Sequence, residues 1–358
     1  MEGASDAVVR DALDSGDPLP GTTGFAGRLD DTLVRDVLGR VPLFVERDDG
    51  PPPAWSHDPT DLADPELFPA GAARDADGTR SVWTLPDPEP LRDRRTAVER
   101  VREAVETSVD AVDTDGLAVA FSGGVDSAVL GARLDAPLYV AGFPDSHDVE
   151  AARSAADLLD RELRVVELTH EAIERAVPEI VAATGRTDAM SVQIALPLYL
   201  CAERVAADGF DRLALGQGAD ELFGGYAKVE KAPDDPRVEA DTIRGAQREV
   251  VATLPDQLPR DVLALRRAGV EPVTPLLHDR VVSVALALPG EMLVDGDVRK
   301  WALREAALGS LPEAIAMRDK KAAQYGSLAA RELDRLARQA GYKRRMDDHV
   351  GQYIDSLL

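Results

Sequence analysis

Two glycine-bearing strings carry most of the chemistry this chain offers. The first is Phe121-Ser122-Gly123-Gly124-Val125-Asp126-Ser127. Adjacent glycines permit positive φ and let the backbone approach a ligand with no Cβ in the way. Successive N–H groups then form a nest for an anion, and a helix opening behind them adds its positive end. Ser122 and Ser127 add hydroxyl donors. No lysine follows the glycines, so this is not a Walker A loop, and no Gly-x-Gly-x-x-Gly opens a helix here. Asp126 would repel phosphate oxygens unless a cation stood between them, so a carboxylate inside an anion nest predicts Mg2+ bridged to pyrophosphate oxygens. The second string is Leu215-Gly216-Gln217-Gly218-Ala219-Asp220-Glu221-Leu222-Phe223-Gly224-Gly225-Tyr226. Its glycines and carboxylates would place Asp220 beside the first loop as a second Mg2+ ligand.

Both strings need strands that deliver them to one edge of a sheet. Apolar runs at 117–121, 138–143, 163–168 and 212–215 read as buried strands, and helical stretches at 125–133, 149–159, 171–184 and 192–207 separate them. Strand alternating with helix predicts an α/β fold with a doubly wound parallel sheet, whose ligands sit beyond the carboxyl ends of the strands. Ahead of it, Val98, Val101, Val105, Val109 and Val112 recur at helical spacing up to Asp113-Thr114-Asp115-Gly116. Residues 235–327 read as helices broken by Pro and Gly, without strands. Residues 328–345 read as one more amphipathic helix, ending in the basic cluster Lys343-Arg344-Arg345, which suits a helix C-terminus. Residues 1–93 differ in texture. Short apolar runs such as Val41–Val45 alternate with breakers, including Pro51-Pro52-Pro53 and the proline-rich 86–90, which predicts a small β-rich unit and a linker. The expected organisation is therefore 1–93, 94–327 and a helical tail, 328–358.

Composition narrows the classes. The 358 residues carry 65 Asp+Glu against 41 Lys+Arg, a formal charge of −24. Such a field disfavours nucleic acid and anionic membrane as partners. Acidic character with only six lysines points to a proteome adapted to high salt. Cys201 is the sole cysteine, which excludes an intrachain disulfide, a Cys-based zinc site and two-thiol sulfur transfer. Nothing at the N-terminus looks like a signal peptide and no apolar run reaches membrane-spanning length, so a cytoplasmic protein is expected.

Together the two loops resemble the synthetase domain of asparagine synthetases, in the ATP-pyrophosphatase (PP-loop) superfamily. Ser-Gly-Gly-Val-Asp-Ser is shared with synthetases of other amidated products, whereas Gly-Ala-Asp-Glu-Leu-Phe-Gly-Gly-Tyr at 218–226 is much more particular to this family. Gly269-Val270-Glu271, Pro275-Leu276-Leu277, Leu288-Pro289, Lys300-Trp301-Ala302-Leu303-Arg304-Glu305-Ala306, Leu311-Pro312-Glu313 and Arg318-Asp319-Lys320-Lys321 follow in the family's order. The likeness covers about residues 95–327. A weaker likeness of Arg35-Asp36, Gly39-Arg40 and Pro42-Leu43-Phe44 to the family's glutaminase domain implies a shortened, inactive relic, because Glu2 stands where that domain begins with a catalytic cysteine. Cys201, between Leu200 and Ala202, reads as a small buried residue.

The resemblance implies an ATP- and Mg2+-dependent ligase that joins aspartate and ammonia through β-aspartyl-AMP, with ammonia taken from solution or from a separate glutaminase subunit. A homo-oligomer is left open. In this reading Phe121, Ser122, Gly123, Gly124, Val125, Asp126 and Ser127 bind ATP, with Ala141, Gly142, Gly216 and Gly218 around the nucleotide. Asp126 and Asp220 hold magnesium. Lys320 meets the α-phosphate, with Arg318 supporting it through a salt bridge or phosphate contact and Lys321 as its neighbouring decoy. Gln217 stands where the family carries an acid thought to accept the proton of attacking ammonia. Glutamine cannot accept it, so Glu221 or a water takes that role, or the step differs here. His278 replaces an Asp and Val273 an Arg of the family pattern; His278 reads as a structural histidine. Asp188, Gln193 and Arg299 are further candidate substrate contacts. Two other readings stay open: an adenylating amide-forming enzyme acting on another carboxylate, and a non-catalytic nucleotide-binding protein.

Overall fold

The computed structural model describes residues 1–47, 53–318 and 326–358. Two units divide it: Met1–Val112 with Gly216–Pro259 and Thr274–Ser310, and Asp113–Leu215 with Arg260–Val273 and Leu311–Leu358.

The first unit opens with the helix Asp6–Ser15, which starts on the Ser5 side chain and stops at the left-handed Gly16. A helix was not among the expectations for residues 1–93; at ten residues it is too short to stand out from the surrounding breakers. Short strands follow: β1 (Ala26–Leu29), β2 (Thr32–Arg35), β3 (Phe44–Glu46), β4 (Trp55–Ser56), β5 (Pro65–Leu67), β6 (Ala72–Asp75) and β7 (Gly78–Ser81). They pair antiparallel into two small sheets, ordered β1-β2-β6-β7 and β4-β3-β5, over Ala26, Leu33, Leu43, Val45 and Phe68. The β-rich reading of this region holds. Of the triple proline, only Pro53 lies among the described residues. The helix Arg94–Asp110, capped by Asp93, buries Val101, Val105 and Val109 at the predicted spacing and packs on the helices Asp279–Leu286 and Trp301–Ala307 of the same unit.

The second unit is built on a parallel sheet. β8 (Leu117–Ala120), β9 (Leu138–Gly142), β10 (Leu163–Glu167), β11 (Arg212–Ala214) and β12 (Glu271–Val273) lie in the order β10-β9-β8-β11-β12. The chain winds from β8 outward to β10, then returns to place β11 on the other side of β8, with Ala214 opposite Val119. The strand order therefore reverses between β8 and β11, and at such a point an open α/β sheet leaves a crevice at its carboxyl edge. The helices His170–Thr184 and Ala189–Ala207 cover a core that includes Tyr139, Ile173, Leu196 and Leu213.

Two expectations fail here. The stretch 235–327 does contain strands: β12 extends the parallel sheet, and Val294–Asp295 pairs with Val298–Arg299 in the first unit. Runs of two or three residues show no period, so only their hydrogen-bonding partners reveal them. The tail is also not one helix to residue 345. It is helical at Ala329–Gln339, turns through Gly341 at φ +103°, and becomes helical again at His349–Leu357. Arg344 lies past the first helix and folds back onto Asp334 at 2.8 Å, so the basic cluster does not form a helix C-terminus.

Candidate functional site

β8 hands the chain to the first glycine loop. The Phe121 amide still donates to the Tyr139 carbonyl at 2.7 Å, while the Phe121 ring is buried against Gly131, where it fills the space a Cβ would need. Gly123 turns at φ +72°, and a Cβ there would press into the Ala151 carbonyl of the helix His147–Leu158. Glycine is required on both counts. Gly124 is different. At φ −84° it is an extended N-cap for the helix Val125–Gly131, so only one of the two glycines uses the left-handed region. The serines do not simply point at a ligand. The Ser122 amide donates to Ser127 Oγ at 3.0 Å, the two hydroxyls lie 3.2 Å apart, and Ser127 Oγ donates to the Gly124 carbonyl at 3.3 Å. These bonds close the loop on itself. Asp126 sits in the first helical turn, 7% exposed. Ala141 and Gly142 end β9, and a Cβ on Gly142 would collide with the Ser146 hydroxyl.

Arg318 comes to the same unit. Its guanidinium donates to the Ala151 carbonyl at 2.7 Å and to Ser154 Oγ at 3.0 Å. It thus grips the carbonyl that crowds Gly123. Lys320 and Lys321 lie outside the described residues.

The second loop belongs to the first unit. Gly216 and Gln217 are half-buried, and Gly218 at φ +91° opens the short helix Ala219–Phe223. Lys300, from the start of the helix Trp301–Ala307, places its ammonium 2.7 Å from the Asp220 carboxylate. The lysine is 7% exposed and sits at φ +58°, an uncommon backbone state for a residue with a side chain. A Cβ at Gly225 would strike both Asp220 and Lys300, so the pair leaves no room beside that glycine. Arg299 donates to the Gly225 carbonyl at 2.9 Å, and Tyr226 Oη donates to Glu221 Oε1 at 2.6 Å. Burial raises the Glu221 pKa above the ordinary carboxylate range, and the charge of Asp220 adds to the rise; Tyr226 and Lys300 oppose it. A buried carboxyl tuned upward beside a fixed ammonium can hold or take up a proton.

The remaining candidates have plain roles. Asp188 caps the helix Ala189–Ala207 by accepting from the Ser191 amide at 2.9 Å. Gln193 is half-buried within that helix. Val273 closes β12. His278 caps Asp279–Leu286, its Nδ1 accepting from the Arg280 amide at 3.2 Å, and burial lowers its pKa. Cys201 is buried, with its thiol pushed up to about 12, as suits an inert residue.

Sequence reasoning missed Lys300, which entered only as part of a family string. The available signal was scarcity, since a chain with six lysines that buries one is using it. Among the described residues no three His, Cys, Asp or Glu side chains gather around a common point, and no helix is long and apolar enough to cross a membrane.

The sequence model for asparagine synthase matches residues 100–249 and 230–355, a span that takes in both glycine loops. A glutamine-hydrolyzing asparagine synthetase 1 of Methanocaldococcus jannaschii is 30% identical over 280 residues, covering 68% of this chain and 51% of that protein. Asparagine synthetase B of Escherichia coli, also named as glutamine-hydrolyzing, is 26% identical over 341 residues, covering 85% of this chain and 61% of its own length. That second alignment is long enough to reach into residues 1–99. The chain thus spans about half to three fifths of the length of these curated relatives. Among solved structures, an NH3-dependent NAD synthetase from Campylobacter jejuni aligns over 74% of this chain and 93% of its own at 13% identity, with a TM-score of 0.30 too low to bear on the fold. On the match across residues 100–355, the chain belongs to the asparagine synthase family.

Proposed function

We propose that this protein is an ATP-dependent, AMP-forming amide ligase that joins aspartate and ammonia through a β-aspartyl-AMP intermediate. The observation that carries the reading is the turn at Gly123, which leaves β8 beside the strand-order reversal with a buried Asp126 directly behind it. Such a turn suits a phosphate chain, and membership of the asparagine synthase family supports an amide ligase.

In this reading the amides of Ser122 to Val125 receive the leaving pyrophosphate, and the ends of β8 and β9 at Phe121, Ala141 and Gly142 receive the adenosine. Phe121 contributes only backbone, because its ring is committed to packing. Magnesium fits the donor set as an ion held by one or two carboxylates and completed by phosphate oxygens and water, the usual habit of this cation. Asp126 and Asp220 are its proposed protein ligands, and the ion would neutralise charge on the departing pyrophosphate. Lys320 is the proposed partner of the α-phosphate, and Arg318 braces the approach through Ala151. Glu221, with its raised affinity for a proton, is the proposed acceptor of the proton released when ammonia attacks, with Gln217 orienting the amine. Ammonia is the proposed nitrogen source, because the one cysteine in the sequence, Cys201, is buried with its thiol pushed up and is no nucleophile for glutamine.

The test is aspartate-dependent exchange of pyrophosphate into ATP by the purified chain in high potassium chloride, followed by AMP release on adding ammonium. Asp126→Asn and Asp220→Asn should each abolish exchange with the fold intact by circular dichroism. Lys320→Ala should lose far more activity than Lys321→Ala. Glutamine should not replace ammonium. Absence of AMP formation with every carboxylate tried would overturn the ligase reading. His278 and Val273, departures from the family pattern that bear on the substrate pocket, favour one second reading, the adenylation of a different carboxylate. Exchange with other acids but not aspartate would select it.

A further inference from the structure

The first unit contains a buried ionic cluster whose reach along the chain is out of proportion to its size. Asp36 lies just past β2 and is fully buried; its carboxylate accepts from the Leu38 and Arg40 amides and from Arg40 Nε at 2.8 Å. Arg40 then extends to residues more than 230 positions away. One terminal nitrogen donates to the Leu277 carbonyl at 2.8 Å and to Asp279 Oδ1 at 2.6 Å. The other carboxylate oxygen of Asp279 accepts from the Gly21 amide at 2.9 Å and the Thr22 amide at 2.7 Å, and the Asp279 amide donates to the Thr22 carbonyl at 2.8 Å. Side-chain exposure is 2% or less for all three charges. Replacing such a cluster by apolar residues is often neutral or stabilising, so its use here is a matter of geometry more than of stability.

What the cluster places is Leu277 and the start of the helix Asp279–Leu286. The Leu277 side chain fills the space that a Cβ on Gly218 would need. At the far end of that helix, Gln247 of the helix Ile243–Val251 ties it to the second loop, its Nε2 donating to the Leu222 carbonyl at 2.6 Å and to the Ala285 carbonyl at 3.4 Å. The acidic loop therefore rests on a shelf held at one end by Arg40 and Thr22.

We infer that the N-terminal sheets are a dock that sets the position of the Gly218–Tyr226 loop, with Arg40 as its positioning residue. This gives residues 1–83 a task in the synthetase reaction, and it rests on the reading of that loop as part of a ligase site.

Amide hydrogen exchange on the full chain tests it without requiring activity. In Arg40→Met, amides at 216–226 should exchange about tenfold faster or more, while those of β8 and β9 stay within about twofold of wild type. Arg40→Lys, which keeps the charge but cannot span three partners, should recover part of the protection. A merely structural role would loosen β1 and β2 and leave 216–226 unchanged, and that result overturns the inference. Should Arg40→Met fail to fold, Thr22→Val decides, since it removes the bond that the Thr22 hydroxyl donates to Asp279 Oδ2 at 3.2 Å, with about threefold faster exchange at 216–226 expected and none overturning it. Under the ligase reading, AMP formation by Arg40→Met should also fall about tenfold or more. An inactive wild-type protein would sink the ligase reading and leave the exchange result to judge the dock.

Discussion

The two glycine loops solve different problems with similar residues. The loop after β8 is closed by its own neighbours: Ser122 bonds to Ser127, and Ser127 to the Gly124 carbonyl, within six residues. The loop at 216–226 is held from far along the chain, by Lys300 on Asp220, Arg299 on the Gly225 carbonyl and Gln247 on the Leu222 carbonyl. One is a turn shaped locally, with Asp126 buried behind it; the other is a charged segment clasped from outside. A local motif therefore suffices to describe the first, whereas the second acquires its electrostatics only when the chain has folded.

Substitutions separate the two cases, and the largest effect should come from the loop that has least room. Gly123→Ala adds a Cβ at φ +72° facing the Ala151 carbonyl. A cost of about 2–3 kcal/mol is expected, with loss of pyrophosphate exchange, read by thermal unfolding and by the exchange assay. A stable and active Gly123→Ala would mean that the cradle is looser than its geometry. Next is Lys300→Met, which removes the cation from Asp220 without touching the loop itself. Exchange activity should drop about 100-fold, and Lys300→Arg should restore only part of it. Activity near wild type would show that the second loop does not depend on its remote clasp.

A smaller effect concerns pH. The Glu221 carboxyl binds its proton more readily in the folded state than in the unfolded chain. Its contribution to stability is therefore full below the unfolded value of ~4.3 and fades as pH rises through the higher folded value. In EDTA, Glu221→Gln should gain in Tm relative to wild type as pH climbs from about 4 to 7, since glutamine still accepts from Tyr226 and carries no charge. A gap that does not change with pH would remove the argument for a tuned proton acceptor. Smallest is Asp188→Ala, expected to cost about 1 kcal/mol as a lost helix cap and to leave pyrophosphate exchange unaltered. A selective rise in KM for aspartate would instead return Asp188 to the substrate pocket.

Much of the architecture was legible before any coordinates. The strands at 117–120 and 138–142 and the helix after Gly124 fall where apolar runs and glycines put them, because each is long enough to show a pattern and is buried on both faces. β12 and the pairing of Val294–Asp295 with Val298–Arg299 were not legible, being too short for a period to show. Arg40 stands out in sequence only through the weak likeness carried by Gly39-Arg40, and Asp279 not at all; nothing at short spacing signals that they are buried together.

Sequence alone determined that a glycine turn follows a buried strand, that an acidic glycine loop follows another, and to which family the pair belongs. Those properties come from residue types at short spacing, where backbone sterics and charge act within a few bonds. Only the tertiary structure decided that Gly124 is an ordinary cap, that Lys300 holds Asp220, that Asp188 and His278 cap helices, and that the N-terminal sheets reach the second loop through Arg40. Each of those depends on partners distant in the chain or on burial, and a charge or a φ angle is set by what surrounds it in space.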